Sequence, residues 1–463
     1  MFGGGSSTEA QSNGARFDAD MPIRPPSIRG QLRFWWREMF GAQYDGREGR
    51  LSIHQQESLI FGSTEKPSRV RIRVTQPDNP DRLSVLKSTD DPPFGFPKFG
   101  REVYALFPLT QEGRDDRTQD RGIASVLEAG FEFRVKISWP TRVGQAASIE
   151  DEIRETLRTW IHYGGVGGRT RRGCGALHLV SVEESDETWW RSRPLLPNAK
   201  VLSNGQPTDD AMKAWQMSLG IYQDFRQTDP LLRGRKHRKE IKGGFPEVPG
   251  RTHWPEPDSI RQITNCKLKK TGGPANVPDD ENTHDHTVPV VPEDAIGTFP
   301  RAALGMPIIF HFADGPGKNQ SGNANLDPPD MQLMPDLPTN GRETGSDKPK
   351  ESDRMASPVI TRPIWDHEHE CWNAGLIILH RPEIEHLRVR LVPSAGDEKT
   401  KKSNTTPIAH DKIIGPLPAT AEPMRVLLNA SKRSCKQEEG EGHHCALDAL
   451  VDYACIRGFS ITQ

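Results

Sequence analysis

The sequence predicts an α+β fold in two parts, each interrupted by long polar segments. Three observations carry that prediction. Apolar residues recur at helical spacing over 28–40, 148–162, 209–227 and 446–456. Strict two-residue alternation marks 69–75 and 131–139 as strands. The chain holds 42 glycines and 39 prolines in 463 residues, and its hydrophobic share is only 34%. There is material for real cores, but much of the chain is loop.

The first predicted element is a helix over 28–40. Ser27 is its expected N-cap, and Pro25-Pro26 are expected to stop any helix upstream. Ile28, Leu32, Trp35 and Met39 fall on one stripe, and Arg29, Arg33 and Arg37 on the stripe beside it. A short helix at 53–60 ends at Gly62. The strand at 69–75 puts Val70, Ile72 and Val74 on one face and arginines on the other. Strands are also expected at 102–107 and 131–139, the latter with Phe131, Phe133, Val135, Ile137 and Trp139 on one side. The helix at 148–162 turns Ile149, Ile153, Leu157, Trp160 and Ile161 inward, and a strand is expected at 176–182. Helix, strand, strand, helix, strand is a ferredoxin-like β-α-β-β-α-β unit without its first strand. That strand would precede Met1-Phe2-Gly3-Gly4-Gly5, so the start is expected to lie at or past its end.

The second half repeats the theme. The helix at 209–227 carries Met212, Trp215, Leu219, Tyr222 and Phe225 inward. A short helix is expected at 258–263, strands at 306–312, 357–361 and 375–380, and a closing helix at 446–456. Residues 270–295, 313–353 and 394–440 read as weakly structured insertions, because they lack the apolar area to offset ordering entropy.

Charge excludes one class outright. With 61 basic and 63 acidic residues the formal net charge is −2, so this is not a wholly basic nucleic-acid binder, although a local basic face is compatible with it. Mean hydropathy is −0.68, no run approaches the ~18 apolar residues of a spanning helix, and the start is short and polar. The six cysteines are scattered. The expectation is a cytoplasmic protein with reduced thiols, no membrane partner and no cofactor.

The strongest local signal is Gly164-Gly165-Val166-Gly167-Gly168-Arg169-Thr170-Arg171-Arg172-Gly173-Cys174-Gly175. Its glycines permit close backbone approach, and consecutive N–H groups suit phosphate oxygens. Its arginines add bidentate donors. It runs from helix to strand, the reverse of a nucleotide-binding loop, and completes neither nucleotide fingerprint. A tight connector is the plainer alternative. Arginines interleaved with aromatics over Arg24 to Arg37 suit single-stranded RNA, although they also fit a solvated face beside core tryptophans. Arg233 to Lys242 is a basic run suited to phosphates or to water.

Metal and catalytic signals are weaker. His367-Glu-His369-Glu-Cys371 and Cys435, His443, His444, Cys445, Cys455 contain ligand types without a strong spacing, and no metal is expected. His284-Asp285 and His410-Asp411 are isolated pairs. His54 and His162 flank the basic elements, and either could serve as a general acid/base in RNA cleavage.

Six blocks in order resemble a known family. Arg24-Pro-Pro-Ser-Ile-Arg-Gly-Gln-Leu-Arg-Phe-Trp-Trp-Arg37 and the Gly164–Gly175 loop look like the two signatures of RAMP proteins of CRISPR systems. Met1 to Gly5, Trp254 to Arg261, Phe299 to Phe312 and Arg354 to Pro363 narrow the likeness to the first-numbered Cmr subunits of type III-B effector complexes, over residues 1 to about 380. The departures are the absent first strand and the long insertions.

The resemblance implies tandem ferredoxin-like, RRM-related domains, here 1–190 and 191–463. It implies a non-catalytic subunit at the guide 3′ end, beside the neighbouring terminal RAMP subunit and other Cmr RAMP subunits. There it would help bind crRNA and target RNA in antiviral defence. Carried over by position, Arg24, Ser27, Arg29, Arg33, Arg37, Gly164, Gly165, Gly167, Gly168, Arg169, Arg171, Arg172, Gly173, Arg261, Arg301, Arg354 and Arg362 would line the RNA-facing cleft. The rival expectations are a metal-independent endoribonuclease of the guide-processing RAMP type and a structural cap that touches only protein.

Overall fold

The computed structural model describes residues 22–44, 51–75, 101–106, 127–139, 146–227, 254–264, 297–312, 328–342, 349–351, 354–380, 387–394, 406–408 and 446–462, apart from 128, 185 and 337. Helix and sheet are mixed. In chain order the elements are α1 (Pro25–Phe40), α2 (Ile53–Phe61), β1 (Arg71–Thr75), α3 (Arg101–Leu106), β2 (Arg134–Ser138), α4 (Ala146–Tyr163), α5 (Glu187–Arg191), β3 (Ala199–Asn204), α6 (Ala211–Gln227), α7 (Glu256–Ile263), β4 (Ile308–Phe310), β5 (Met331–Pro335), β6 (Pro338–Arg342), β7 (Pro349–Glu351), β8 (Val359–Asp366), β9 (Cys371–Leu379), β10 (Val389–Pro393), β11 (Thr406–Ile408), α8 (Ala446–Ile456) and β12 (Phe459–Ile461). The chain divides into two compact units that are not consecutive in sequence. One holds 1–220, 360–379 and 461–463, and the other holds 221–359 and 380–460.

In the first unit, α1 begins earlier than its sequence suggests. Pro25 and Pro26 are its first two residues, and Arg24 is the N-cap. A first-turn proline loses no hydrogen bond and arrives with helical φ already set, so these prolines start the helix rather than fence it. Arg24, just before a proline, is held extended at φ −104°. Ser27 therefore lies inside the first turn, and its N–H reaches the Arg24 carbonyl at 3.0 Å. The next helix, α2, starts on a reciprocal Ser52–Gln55 capping box. It stops at Gly62, whose φ of 81° favours glycine and whose missing Cβ would stand 2.6 Å from the Ser68 nitrogen.

β1 and β2 form the antiparallel ribbon that the alternation predicts, with Ile72 opposite Ile137 and Val74 opposite Val135. Their apolar face, extended by Phe131, Phe133 and Trp139, packs on a core shared with Ile28, Leu32, Trp35 and Trp36 of α1 and Ile153, Leu157 and Trp160 of α4. The segment expected as a strand at 102–107 is instead the helix α3. Four apolar residues fit either period, and Glu102 in the first turn with Ala105 inside favours the helix.

Among the described residues, 176–182 do not join a ladder beyond a Gly165–Ala176 bridge. Leu177, Leu179 and Val182 still pack on the core. Side chains take the place of a neighbouring strand there. Arg362 donates to the Leu177 carbonyl at 3.2 Å, and Arg191 donates to those of Leu179 and Val180 at 3.5 and 3.2 Å. The larger sheet has the order β12-β3-β9-β8, with Val201 opposite Ile377.

The second unit is built on a sheet of order β11-β10-β5-β4. Leu333 of β5 is central, opposite Ile308 on one side and Leu391 on the other. Around it pack Phe299, Met306, Phe310, Phe312, Leu387 and Val389. β5, with β6 and β7, lies inside the 313–353 segment expected as an insertion, and β11 lies inside 394–440. The five residues Met331 to Pro335 bury alternate side chains. So short a period-2 signal is swamped by its Pro- and Asp-rich flanks. Residues 1–21, 233–242, 270–295, His410-Asp411, Cys435 and His443 to Cys445 lie outside the described residues.

Candidate nucleic-acid interface

The glycine-rich loop leaves α4 through a steric funnel that only glycine passes. The Gly164 N–H bonds the Trp160 carbonyl at 2.8 Å. A Cβ on Gly164 would fall 2.5 Å from both Trp160 and the Trp35 indole nitrogen. Trp160 Nε1 donates to the Gly165 carbonyl at 3.0 Å, and the Val166 N–H to that of Gly175 at 2.9 Å. The loop then turns through Gly167 at φ 87°, Arg169 at φ 60° and Gly173 at φ 76°. Trp215 of α6 closes it by donating to the Arg172 carbonyl at 2.6 Å. Among the described residues the amides of Gly167 and Gly168 make no backbone hydrogen bond, and Gly168 is exposed. Successive free N–H groups beside a left-handed residue are the geometry of an anion nest.

The three loop arginines diverge. Arg169 is exposed but braces the loop against α3, donating to the Ala105 and Tyr104 carbonyls at 2.7 and 3.2 Å. Arg171 stacks on the Phe34 ring of α1 at 5.2 Å and so joins the loop to the arginine-bearing helix. Arg172 is buried and donates to the Arg171 carbonyl at 2.9 Å.

The stripe on α1 is partly spent inside the fold. Glu57 of α2, its side chain 4% exposed, pairs with Arg37 at 2.8 Å and with Arg33. Arg29 is half-buried, and its Nε has no hydrogen-bond partner among the described residues. Arg24 is half-buried at the helix start.

Arg362 is fully buried in β8. It donates to the carbonyls of Gly164 at 2.5 Å, Leu177 at 3.2 Å and Pro363 at 3.0 Å. Burial pulls its guanidinium down to about 9, opposed by the Tyr163 hydroxyl. It is the post on which the loop is hung, and it does not face solvent.

The remaining three sequence candidates belong to the second unit. Arg301 pairs with the buried Glu256 at 3.2 Å. Arg261 is buried with its guanidinium over Phe312. Arg354 is exposed. Sequence reasoning missed the acids Glu57 and Glu152. Glu152 accepts from Trp36 Nε1 at 2.8 Å and from the Tyr44 hydroxyl. A signal existed: Glu57 shares a stripe with Ile53, Ile60 and Phe61, where an apolar residue is the usual occupant.

Of the two candidate acid/base histidines, His54 is exposed on α2. His162 is buried, with its Nε2 at 3.0 Å from the Trp190 carbonyl. The imidazole-rich segment after β8 folds as a turn: His367 accepts from Trp365 at 3.0 Å, and His369 meets Asp366 at 3.2 Å. No set of three His, Cys, Asp or Glu groups suited to a metal occurs among the described residues. No helix among them is long and apolar enough to cross a membrane.

Burial pushes His162 down to about 4, and Arg362, His367 and Arg158 push the same way against the Trp190 carbonyl. The sign follows from linkage. Between pH 6.5 and 4 the unfolded chain binds a proton that the native imidazole refuses, so stability falls as pH drops through that window. The loss attributable to His162 is about 3 kcal/mol by pH 4. Urea titrations at pH 7, 5.5 and 4.5 are expected to show a flatter pH slope for His162→Gln than for wild type.

Residues 2–178 match the RAMP superfamily model. The chain is 33% identical over 162 residues to the CRISPR system Cmr subunit Cmr1-1 of Pyrococcus furiosus, an overlap of 34% of this chain and 40% of that protein. It is 25% identical over 166 residues to Cmr1-2 of the same organism, covering 34% of this chain and 83% of that one. The match thus spans two-fifths of the length of the first relative. Among solved structures, apo Cmr1 from Pyrococcus furiosus aligns with TM-score 0.41 and 14% identity, over 88% of this chain and 96% of that one. A chain of the type III-B Cmr-beta complex bound to cognate target RNA and AMPPnP, in the presence of ssDNA, aligns with TM-score 0.34 and 13% identity, over 78% and 88%.

Proposed function

We propose that this chain, which carries a RAMP-superfamily segment over residues 2–178, is a non-catalytic RNA-binding subunit of a cytoplasmic type III-B Cmr ribonucleoprotein. It sits at the guide 3′ end, contacts crRNA and target RNA, and adjoins the neighbouring terminal RAMP subunit. Each unit is read as a divergent ferredoxin-like domain. For the first, the support is the order α1, β1, β2, α4 with an antiparallel β1–β2 ribbon.

One observation carries the RNA reading: the free Gly167 and Gly168 amides stand in a loop whose Arg169 is exposed and whose Arg171 is stacked on α1. Backbone amides and guanidiniums grip phosphates without reading bases, and guide–target pairing supplies sequence choice. The non-catalytic reading is supported by His162, which is shut inside the fold on a carbonyl rather than offered to a substrate.

The test is single-stranded RNA binding by the full chain, followed by fluorescence anisotropy across salt. Arg169→Ala with Arg171→Ala is expected to weaken binding to unrelated sequences about equally, and to flatten the log–log salt slope by about one unit. Unchanged affinity and slope would remove the loop from the RNA path. Discrete cleavage of repeat RNA in EDTA, abolished by His54→Ala, would restore the nuclease reading.

A further inference from the structure

We propose that the outer face of the β1–β2 ribbon, with the cleft beside it, is a second track for the phosphodiester backbone of single-stranded RNA, apart from the glycine loop. The proposal rests on the RNA-binding reading above and extends it to a face with no residue in the sequence-level site.

The first observation is charge geometry. Alternation turns Arg71, Arg73, Arg134 and Lys136 away from the core, and all four are exposed. The register sets Arg73 directly opposite Lys136, with Arg71 opposite Ser138 and Arg134 opposite Thr75. Like charges paired across an antiparallel ribbon destabilise it, and a two-stranded ribbon has little stability to spare. The acids nearby do not offset this. Glu183 meets Arg134 only at 3.8 Å with both groups largely exposed, and Glu132 lies on the same face at its end. Arg71, Arg73 and Lys136 have no ion pair among the described residues. A row of cations kept at a cost to the fold is explained by an anionic ligand that neutralises it.

The second observation is shape. A cleft of about 630 Å³ opens along the edge of this face, lined by Lys66, Arg69, Arg71, Ser138 and Trp139 among others. Alternate residues on a strand stand about 7 Å apart, a spacing comparable to that of phosphates along an extended single strand. Trp139, half-buried on the core-facing side of β2, lines the cleft rather than the outer row. An acidic protein partner fits less well, because the face has no exposed apolar centre around which a protein interface forms.

The experiment uses the full chain, a mixed-sequence single-stranded RNA and anisotropy at physiological salt. Arg71→Glu, Arg73→Glu and Lys136→Glu together are expected to lower affinity about tenfold or more and to reduce the salt slope by about two units. Lys136→Glu alone converts a repulsive cross-strand pair into an attractive one, so it is expected to raise the melting temperature while weakening RNA binding. A triple variant within about twofold of wild type overturns the proposal and leaves an acidic protein as the occupant of this face. If the wild-type chain retains no RNA at all, both readings fall. If the face variant loses RNA while the Arg169/Arg171 variant does not, the loop reading falls and the ribbon track stands.

Discussion

Arg362→Met is expected to destabilise the first unit by about 3–5 kcal/mol, the usual cost of removing a buried charged donor whose partners stay behind. The side chain is 2% exposed, and its guanidinium bridges three carbonyls, those of Gly164, Leu177 and Pro363. Methionine fills the space of the stem but offers none of the donors. Two of those carbonyls lie where the loop leaves α4 and in the 176–182 segment, which has no neighbouring strand among the described residues. The damage therefore concentrates at the glycine loop.

Arg362→Lys tests the mechanism rather than the charge. A lysine keeps the cation, but as a compact ammonium it cannot span carbonyls arranged for a planar fork, so most of the loss is expected to remain. Urea unfolding at pH 7 reads the stability. Hydrogen exchange at residues 164–180 reads the locality, since a uniform rise across the unit would not fit a loop anchor. If Arg362→Met unfolds like wild type, the anchor is not where the fold holds its loop.

Glu256→Ala is expected to cost the second unit a similar amount, about 3–5 kcal/mol. Glu256 is fully buried and accepts from the Arg301 backbone N–H at 2.7 Å and from Arg301 Nε at 3.2 Å. The guanidinium lies in an aromatic pocket, 5.8 Å from the Trp254 ring and 5.3 Å from that of Phe310. Burial pulls the Arg301 pKa down while Glu256 pulls it back up. Without the carboxylate, a desolvated cation and an orphaned N–H remain. Glu256→Gln keeps an acceptor for the N–H and loses only the charge, so it is expected to cost less. Glu256→Ala with Arg301→Met removes both charges and is expected to recover part of the loss. Thermal unfolding of wild type, Glu256→Ala, Arg301→Met and the double variant closes this cycle, and additivity within about 0.5 kcal/mol would show that the pair is not coupled.

Both anchors bear on how a site is read from a sequence. Arg301 and Arg362 entered as RNA-facing candidates because of the blocks in which they stand. In the fold they are internal struts. An arginine beside proline and small residues looks the same in the chain whether its guanidinium meets a phosphate or a carbonyl. Arg33 and Arg37 show an intermediate case, on the predicted stripe but tied to Glu57 from α2. Arg71, Arg73 and Lys136 show the converse. Their alternation was plain, yet the opposition of Arg73 to Lys136 exists only once β1 and β2 are in register.

The helices α1, α2, α4, α6 and α8 and the ribbon β1–β2 were legible because each is long or regular enough for its own periodicity to outvote its neighbours. The burial of Trp35 followed from the same pattern, whereas Trp36, off the predicted stripe, is buried as well. α3, β5 and the unpaired 176–182 segment were not legible. A run of five to seven residues carries too little period to choose its state, and partners remote in the chain help to fix it: Arg169 bonds Ala105 of α3 from 64 residues away, and Arg362 bonds Leu177 from 185. Local periodicity records which side of an element meets the core. Which charged groups remain for a ligand is set by partners remote in the chain, because a buried donor or acceptor must be satisfied by whatever folding brings within about 3 Å of it.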